Sequence, residues 1–216
     1  MAELPEPPAP ISAGAQRVPP GPLAGLLPRE FFAASALEVA PALVGMWLVR
    51  SDGRAARLVE VEAYMGADDP GSHAYKGKTR RNATMFGPPG RLYVYFTYGM
   101  HWCANVVCSP EGTASAVLLR AAEPTAGVDL MRRSRWQGQR QQRDRDLCRG
   151  PARLCQAFDI TGAYDGADLV NGDRGVWLAV GTSRSTRPVG TSERVGLSSG
   201  AELPWRFFEV GSMWVS

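Results

Sequence analysis

Apolar residues change their spacing several times along the chain, and each change predicts an element. Phe32, Leu37, Val39, Ala40 and Leu43 recur at helical spacing, which predicts an amphipathic helix over residues 31–43 with Gly45 as its stop. Two strands follow, 46–49 and 57–61, paired around the turn Ser51-Asp52-Gly53. Further strands are predicted at 91–98, 103–108, 115–121, 173–180 and 205–210, with helices at 126–135 and 152–158. Gly150-Pro151 leads the last helix, because proline suits a first helical turn where its missing N–H costs nothing. Residues 136–145 read as a charged loop.

Between 67 and 89 the pattern is broken by Pro70, Gly71, Gly77, Gly87, Pro88 and Pro89. A loop of that length inside a compact domain is usually functional. Residues 1–28 carry Pro5, Pro7, Pro8, Pro10, Pro19, Pro20, Pro22 and Pro28 among alanine and glycine. Such a segment buries little, so a disordered leader is expected at 1–28 ahead of a single compact α+β domain at 29–216.

Composition narrows the function only slightly. The 216 residues are 44% hydrophobic and 21% charged, values ordinary for a soluble globular protein, and the formal net charge is +3. Of 24 basic residues only Lys76 and Lys78 are lysine. Arginine's planar fork suits phosphate, although coding bias gives the same count. Cys103, Cys108, Cys148 and Cys155 form no Cys-x-x-Cys pair, and His73 and His101 are the only histidines. Zinc-ligand spacing is therefore missing, and reduced cysteines in a cytoplasmic protein are expected. No apolar run is long enough for a membrane span.

The chemistry concentrates in 59–105. Glu60, Glu62 and Tyr64 alternate, so on a strand they share one face. A carboxylate partly withdrawn from water there suits general-base work, whereas a pair of solvated edge glutamates would be inert. Tyr93 and Tyr95 share a face that is either core or a stacking platform, and Tyr98 precedes Gly99 at a turn, where it can project. Lys78 and Arg81 lie in the long loop, and the amides at the Gly150-Pro151 helix start offer a further phosphate contact. There is no Walker loop, dinucleotide fingerprint or Gly-x-Ser-x-Gly elbow. Both lysines lack an apolar pocket in the sequence around them, which disfavours a Schiff-base nucleophile.

These residues closely resemble a known family. Glu60-Val61-Glu62-Ala63-Tyr64, His73, Arg81-Asn82, Met85-Phe86, Tyr93-Val94-Tyr95, Tyr98-Gly99-Met100, Asn105 and 118–124 (Leu-Leu-Arg-Ala-Ala-Glu-Pro) are similar to the alkyladenine (3-methyladenine) DNA glycosylases. Asp146-Leu147-Cys148, Gly150-Pro151, Arg194-Val195-Gly196 and the closing Trp214-Val215-Ser216 continue the likeness. The resemblance implies a curved, mostly antiparallel sheet with packed helices and a protruding β-hairpin. It puts the catalytic, water-activating glutamate at Glu62 and the water-positioning arginine at Arg120. Tyr64, His73 and Tyr95 fall on the clamp around an extruded base, Asn105 on the pocket floor, and Tyr98 on the side chain that enters the duplex.

A monofunctional DNA glycosylase of base excision repair is thus the expected activity. It would act on double-stranded DNA containing a damaged purine, as a monomer, without metal or organic cofactor. Two alternatives remain at this level: a non-catalytic DNA- or RNA-binding module, and an acyl or formyl transferase of related fold. The transferase reading lacks a nucleotide or folate motif.

Overall fold

The computed structural model describes residues 23–136, 143–181 and 187–216. In chain order the elements are β1 (Leu23–Leu26), α1 (Arg29–Phe32), α2 (Ala36–Leu43), β2 (Trp47–Arg50), β3 (Ala55–Tyr64), β4 (Leu92–Thr97), β5 (His101–Cys108) and β6 (Ser115–Ala126). They continue with α3 (Val128–Trp136), α4 (Pro151–Phe158), β7 (Val176–Gly181), β8 (Val189–Ser192) and β9 (Arg206–Glu209). Among the described residues, nine strands form one curled antiparallel sheet in the order β1-β7-β2-β3-β6-β5-β4, with β9 joining β3 and β8 joining β9.

The long strand β3 is the centre of this arrangement. One edge pairs with β6 throughout; the other pairs first with β2 through Ala55–Arg57 and then with β9 through Glu60–Glu62. Along one face, Leu48, Leu58, Val61, Leu92, Val106 and Leu119 meet α2, α4 and their neighbours in the main core. Burying each such side chain is worth about 1.5–3 kcal/mol. On the opposite face two smaller clusters form, one around Trp47, Val49 and Trp177, the other around Met85, Tyr93 and Val107. The second of these lies under the long loop.

Two expectations need correction. The single helix over 31–43 is two helices, because Ser35 starts α2 afresh: the Glu38 carboxylate accepts from the Ser35 N–H at 3.2 Å and from its hydroxyl at 2.8 Å. Chain order also begins before residue 29. Leu23–Leu26 pairs with β7 and Leu27 is buried, since this leucine-bearing stretch satisfies the free edge of β7. Residues 1–22 of the expected leader lie outside the described residues, as do 137–142 of the charged loop.

The protruding hairpin is β4–β5, in register Leu92↔Val106 through Thr97↔His101. Its tip is a turn in which the Met100 N–H bonds the Thr97 carbonyl at 3.2 Å and both central residues, Tyr98 and Gly99, have positive φ (52° and 67°). Glycine is at home there, but a tyrosine is not.

Candidate active site

A pair of bulges sets the site. Against β6, β3 carries an extra residue between Leu58 and Glu60, and β6 carries an extra one, Arg120, between Leu119 and Ala121. The first bulge changes which side chains face the helices, so Leu58 and Val61 both enter the main core while Glu60 and Glu62 turn to the other side. The second aims Arg120 at the two carboxylates.

Neither glutamate is a solvated edge residue: each has no exposed surface. Glu62 accepts the Tyr64 hydroxyl at 2.9 Å on Oε2, while Oε1 takes the Val195 backbone N–H at 2.8 Å and lies 3.2 Å from Arg120 Nη1. Glu60 Oε1 accepts Arg120 Nε at 2.8 Å, Arg206 Nε at 2.7 Å and the Ser216 hydroxyl at 2.9 Å, and its Oε2 accepts the Ser216 N–H at 2.6 Å. Burial works to raise the Glu60 carboxyl's pKa, but Arg120, the Ser216 amide and Arg206 together hold it below the ordinary carboxylate value. For Arg120 burial opposes the charge, and Glu62 and Glu60 more than offset it, so the guanidinium is held above its usual range.

Tyr64 carries the arrangement into a cleft of about 340 Å³ including its open mouth. His73, Met85, Tyr93, Tyr95, Asn105 and Leu197 also line it. His73 and Tyr95 meet edge to face at 4.4 Å, and His73 Nδ1 lies 3.1 Å from the Tyr93 hydroxyl. Desolvation, followed by the Arg81 charge, lowers the His73 pKa. Burial pushes the Tyr93 phenol up to about 12 and raises those of Tyr64 and Tyr95 further, so all three are neutral donors at physiological pH. In the cleft lining, Asn105 Nδ2 donates to the Tyr93 carbonyl at 3.2 Å, which fixes the amide's direction.

The structure therefore brings Glu62, Arg120, Tyr64, His73, Tyr95 and Asn105 together. Tyr98 stands apart from the cleft at the hairpin tip and is 80% exposed. Arg81 bridges the two regions: it lies 5.7 Å from the Tyr95 ring and donates to the Phe96 carbonyl at 3.2 Å. Lys78 is exposed and 5.6 Å from the Phe86 ring. The Gly150 N–H donates to the Arg120 carbonyl at 3.0 Å, so this amide supports the bulge rather than facing outward. Tyr93, which shares its face with Tyr95, is core at 1% exposure and stacks against the Tyr95 ring at 5.5 Å.

Sequence reasoning assigned no role to the segment between β8 and β9. Arg194 there is fully buried, with Nη1 and Nη2 on the two oxygens of Asp69 at 2.6 and 2.7 Å. Its guanidinium also lies 4.7 Å from the Tyr64 ring and 5.0 Å from that of Trp205. Val195 and Leu197 follow it onto Glu62 and the cleft. The only signal in the sequence was the Arg194-Val195-Gly196 likeness. Among the described residues, no group of histidine, cysteine and carboxylate side chains could hold a metal ion, and no helix is long and apolar enough to cross a membrane.

Known proteins match this chain over nearly its whole described length. A family model described as methylpurine-DNA glycosylase matches residues 30–213. A protein of Burkholderia lata named "Putative 3-methyladenine DNA glycosylase" is 54% identical over 191 residues, covering 88% of this chain and 91% of its own. Proteins of the same name from Streptomyces avermitilis and Rhodopseudomonas palustris are 50% and 46% identical, covering 84% and 91% of this chain and 86% and 93% of theirs.

Proposed function

The chain belongs to the methylpurine-DNA glycosylase family, and from that premise we propose that it removes alkylated or deaminated purines from double-stranded DNA by hydrolysing the N-glycosidic bond with water activated by Glu62. The substrates in this reading are 3-methyladenine, hypoxanthine and ethenoadenine. The product is an abasic site, the entry point for the rest of base excision repair, and the enzyme acts as a monomer in the cytoplasm.

One observation carries the proposal: a fully buried carboxylate is joined to an aromatic cleft through the hydroxyl of Tyr64, which lines it, at 2.9 Å. A purine inside the duplex hides its C1′–N9 bond, so the nucleotide must first leave the stack, at a cost of roughly a few kcal/mol that is smaller for bases that pair poorly. Tyr98 fills the vacancy. Tyr64, His73 and Tyr95 hold the extruded base by stacking, and a cationic lesion such as 3-methyladenine also gains cation–π attraction from their rings. Asn105 excludes guanine by crowding its exocyclic amino group. Lys78 and Arg81 contact the DNA backbone.

In the chemical step water attacks C1′ as the purine departs with the bonding electron pair, and Glu62 takes a proton from that water. A positioned general base is worth about 10²–10⁴-fold in rate. The carboxylate also faces the positive charge that develops on the sugar. Among the described residues Lys76 and Lys78 are both exposed and neither lines the cleft, so in this reading no lysine forms a Schiff base, the strand is left uncut and the reaction is monofunctional.

Single-turnover release of hypoxanthine and ethenoadenine from labelled duplexes, for native protein and Glu62→Gln, tests this reading. Release by the native protein alone, with strand breaks only after hot alkali, is the expected result. Full activity in Glu62→Gln refutes the role of Glu62. Absence of release from these duplexes and from 3-methyladenine DNA, with DNA binding intact, makes the protein a binding module instead.

A further inference from the structure

The reaction proposed above gives Glu62 a task and leaves Glu60 without one. Burying a second carboxylate is costly, and an apolar residue of similar size would pack at least as well in such a position. Yet Glu60 has no exposed surface and accepts four hydrogen bonds.

The geometry of Arg120 shows what those bonds do. Its Nε meets Glu60 at 2.8 Å, its Nη1 lies 3.2 Å from Glu62, and its Nη2 reaches the Ser216 hydroxyl at 3.3 Å. An arginine beside a lone carboxylate prefers the two-pronged contact, because it makes two charge-assisted bonds at once. Such a contact would occupy both oxygens of Glu62 and neutralise the group that must accept a proton. With Nε engaged by Glu60, Arg120 offers Glu62 a single point of contact, and Oε2 is left to the Tyr64 hydroxyl.

We propose that Glu60 is a positioning residue for the reaction: it holds Arg120 in a one-point contact with Glu62 and draws on the guanidinium's charge, so that Glu62 stays a competent base. The inference rests on the role given to Glu62 above. The groups around Glu62 are Arg120 from β6, Arg206 from β9, Tyr95 from β4, Tyr64 and Glu60 from its own strand, and the Val195 amide. Arg206 is the cation that balances Glu60, at 2.7 Å.

Two substitutions move this balance in opposite directions. Glu60→Gln removes the charge that holds Arg120 away, so the guanidinium closes on Glu62, and the acidic limb of the pH–rate profile moves down by about one pH unit. Its plateau rate falls about 10–100-fold, as for a misplaced catalytic group. Arg206→Gln removes the balancing cation and leaves Glu60 to compete harder for Arg120, so the acidic limb moves up.

The test is single-turnover hypoxanthine release across the acidic range for native protein, Glu60→Gln, Arg206→Gln and Glu62→Gln, each corrected for active fraction. Opposite displacements of the limb in the first two variants, with Glu62→Gln inactive, are the expected result. An inactive Glu62→Gln beside a Glu60→Gln that matches the native rate and limb overturns this inference alone. A loss of rate with unmoved limbs in both variants makes Glu60 merely structural and overturns it equally. Native activity in Glu62→Gln removes the base itself, and the inference falls with it. Where Glu60→Gln fails to fold, Arg206→Gln decides: an upward limb supports the proposal and an unmoved one refutes it.

Discussion

Asp69→Asn tests whether the segment between β8 and β9 holds Glu62 in place. Asp69 and Arg194 both have fully buried side chains, joined by two bonds of 2.6 and 2.7 Å. Asp69 also accepts the backbone N–H groups of Met65 at 3.1 Å and Gly71 at 2.9 Å, and Arg194 donates to the carbonyls of Ala63 at 3.0 Å and Gly200 at 2.7 Å. Asparagine keeps one acceptor oxygen, loses the charge and turns a donor toward the guanidinium.

Breaking a buried ion pair from one side costs about 3–5 kcal/mol, because the remaining charge stays buried and uncompensated. Against a total stability of about 5–15 kcal/mol for a domain, that is a large fraction. Urea unfolding should show it as a lower midpoint at unchanged slope. The consequence for chemistry is separate: Val195, next in the chain, loses its fixed position, and with it the 2.8 Å bond to Glu62. The single-turnover rate per folded molecule should fall about 10-fold or more, since a displacement of about 1 Å can cost 10²-fold. Arg194→Met together with Asp69→Asn should be less destabilising than the two single changes summed, because no buried charge is left unpaired. A stability loss below about 1 kcal/mol would refute the energetic argument, since it would equal an exposed pair. A full loss of stability with an unchanged rate per folded molecule would refute the link from the pair to Glu62.

Tyr98→Gly should separate function from fold: it releases about 1 kcal/mol of left-handed backbone strain and raises the melting temperature, while binding to an abasic-site duplex weakens by about 1–3 kcal/mol of lost stacking. A lower melting temperature in this variant would show that Tyr98 holds the hairpin rather than entering DNA. Glu60, whose folded pKa lies below its ordinary value, contributes stability that is full above the unfolded value and disappears as pH falls through the folded one. Urea midpoints measured below about pH 4.5 should therefore decline in native protein and flatten in Glu60→Gln. His73 should titrate below 6.5 by NMR, and Arg81→Gln should move it upward by removing the neighbouring charge. An unmoved resonance would place Arg81 too far away to act.

Local patterns made much of the framework legible. Strands β4, β5 and β6 were readable because alternation and turn residues are written within each segment, and the start of α4 because Gly150-Pro151 is a local signal. Where a competing local signal was overlooked, the reading failed: Ser35 and Glu38 divide one apolar period into two helices. The end of the leader was misplaced for a different reason. Leu23–Leu26 is a strand only because β7 has an edge to offer, and nothing in Leu-Ala-Gly-Leu names that partner.

The site divides along the same line. Spacing alone put Glu60, Glu62 and Tyr64 on one face, and that held. Whether the face was solvated or buried depended on β9 replacing β2 along the same edge of β3, with Glu60 opposite Phe208 and Glu62 opposite Arg206. That pairing spans some 146 positions, as measured by the Arg206–Glu60 bond, and the Val195–Glu62 bond spans 133. Both contacts join single polar atoms to single carboxylate oxygens, so neither leaves a periodic trace in sequence. A residue type such as Glu62 can therefore be recognised from its neighbours in the chain. The groups that hold its carboxylate, Arg120 in its bulge and the amide of Val195, come into place only once the sheet has closed around it.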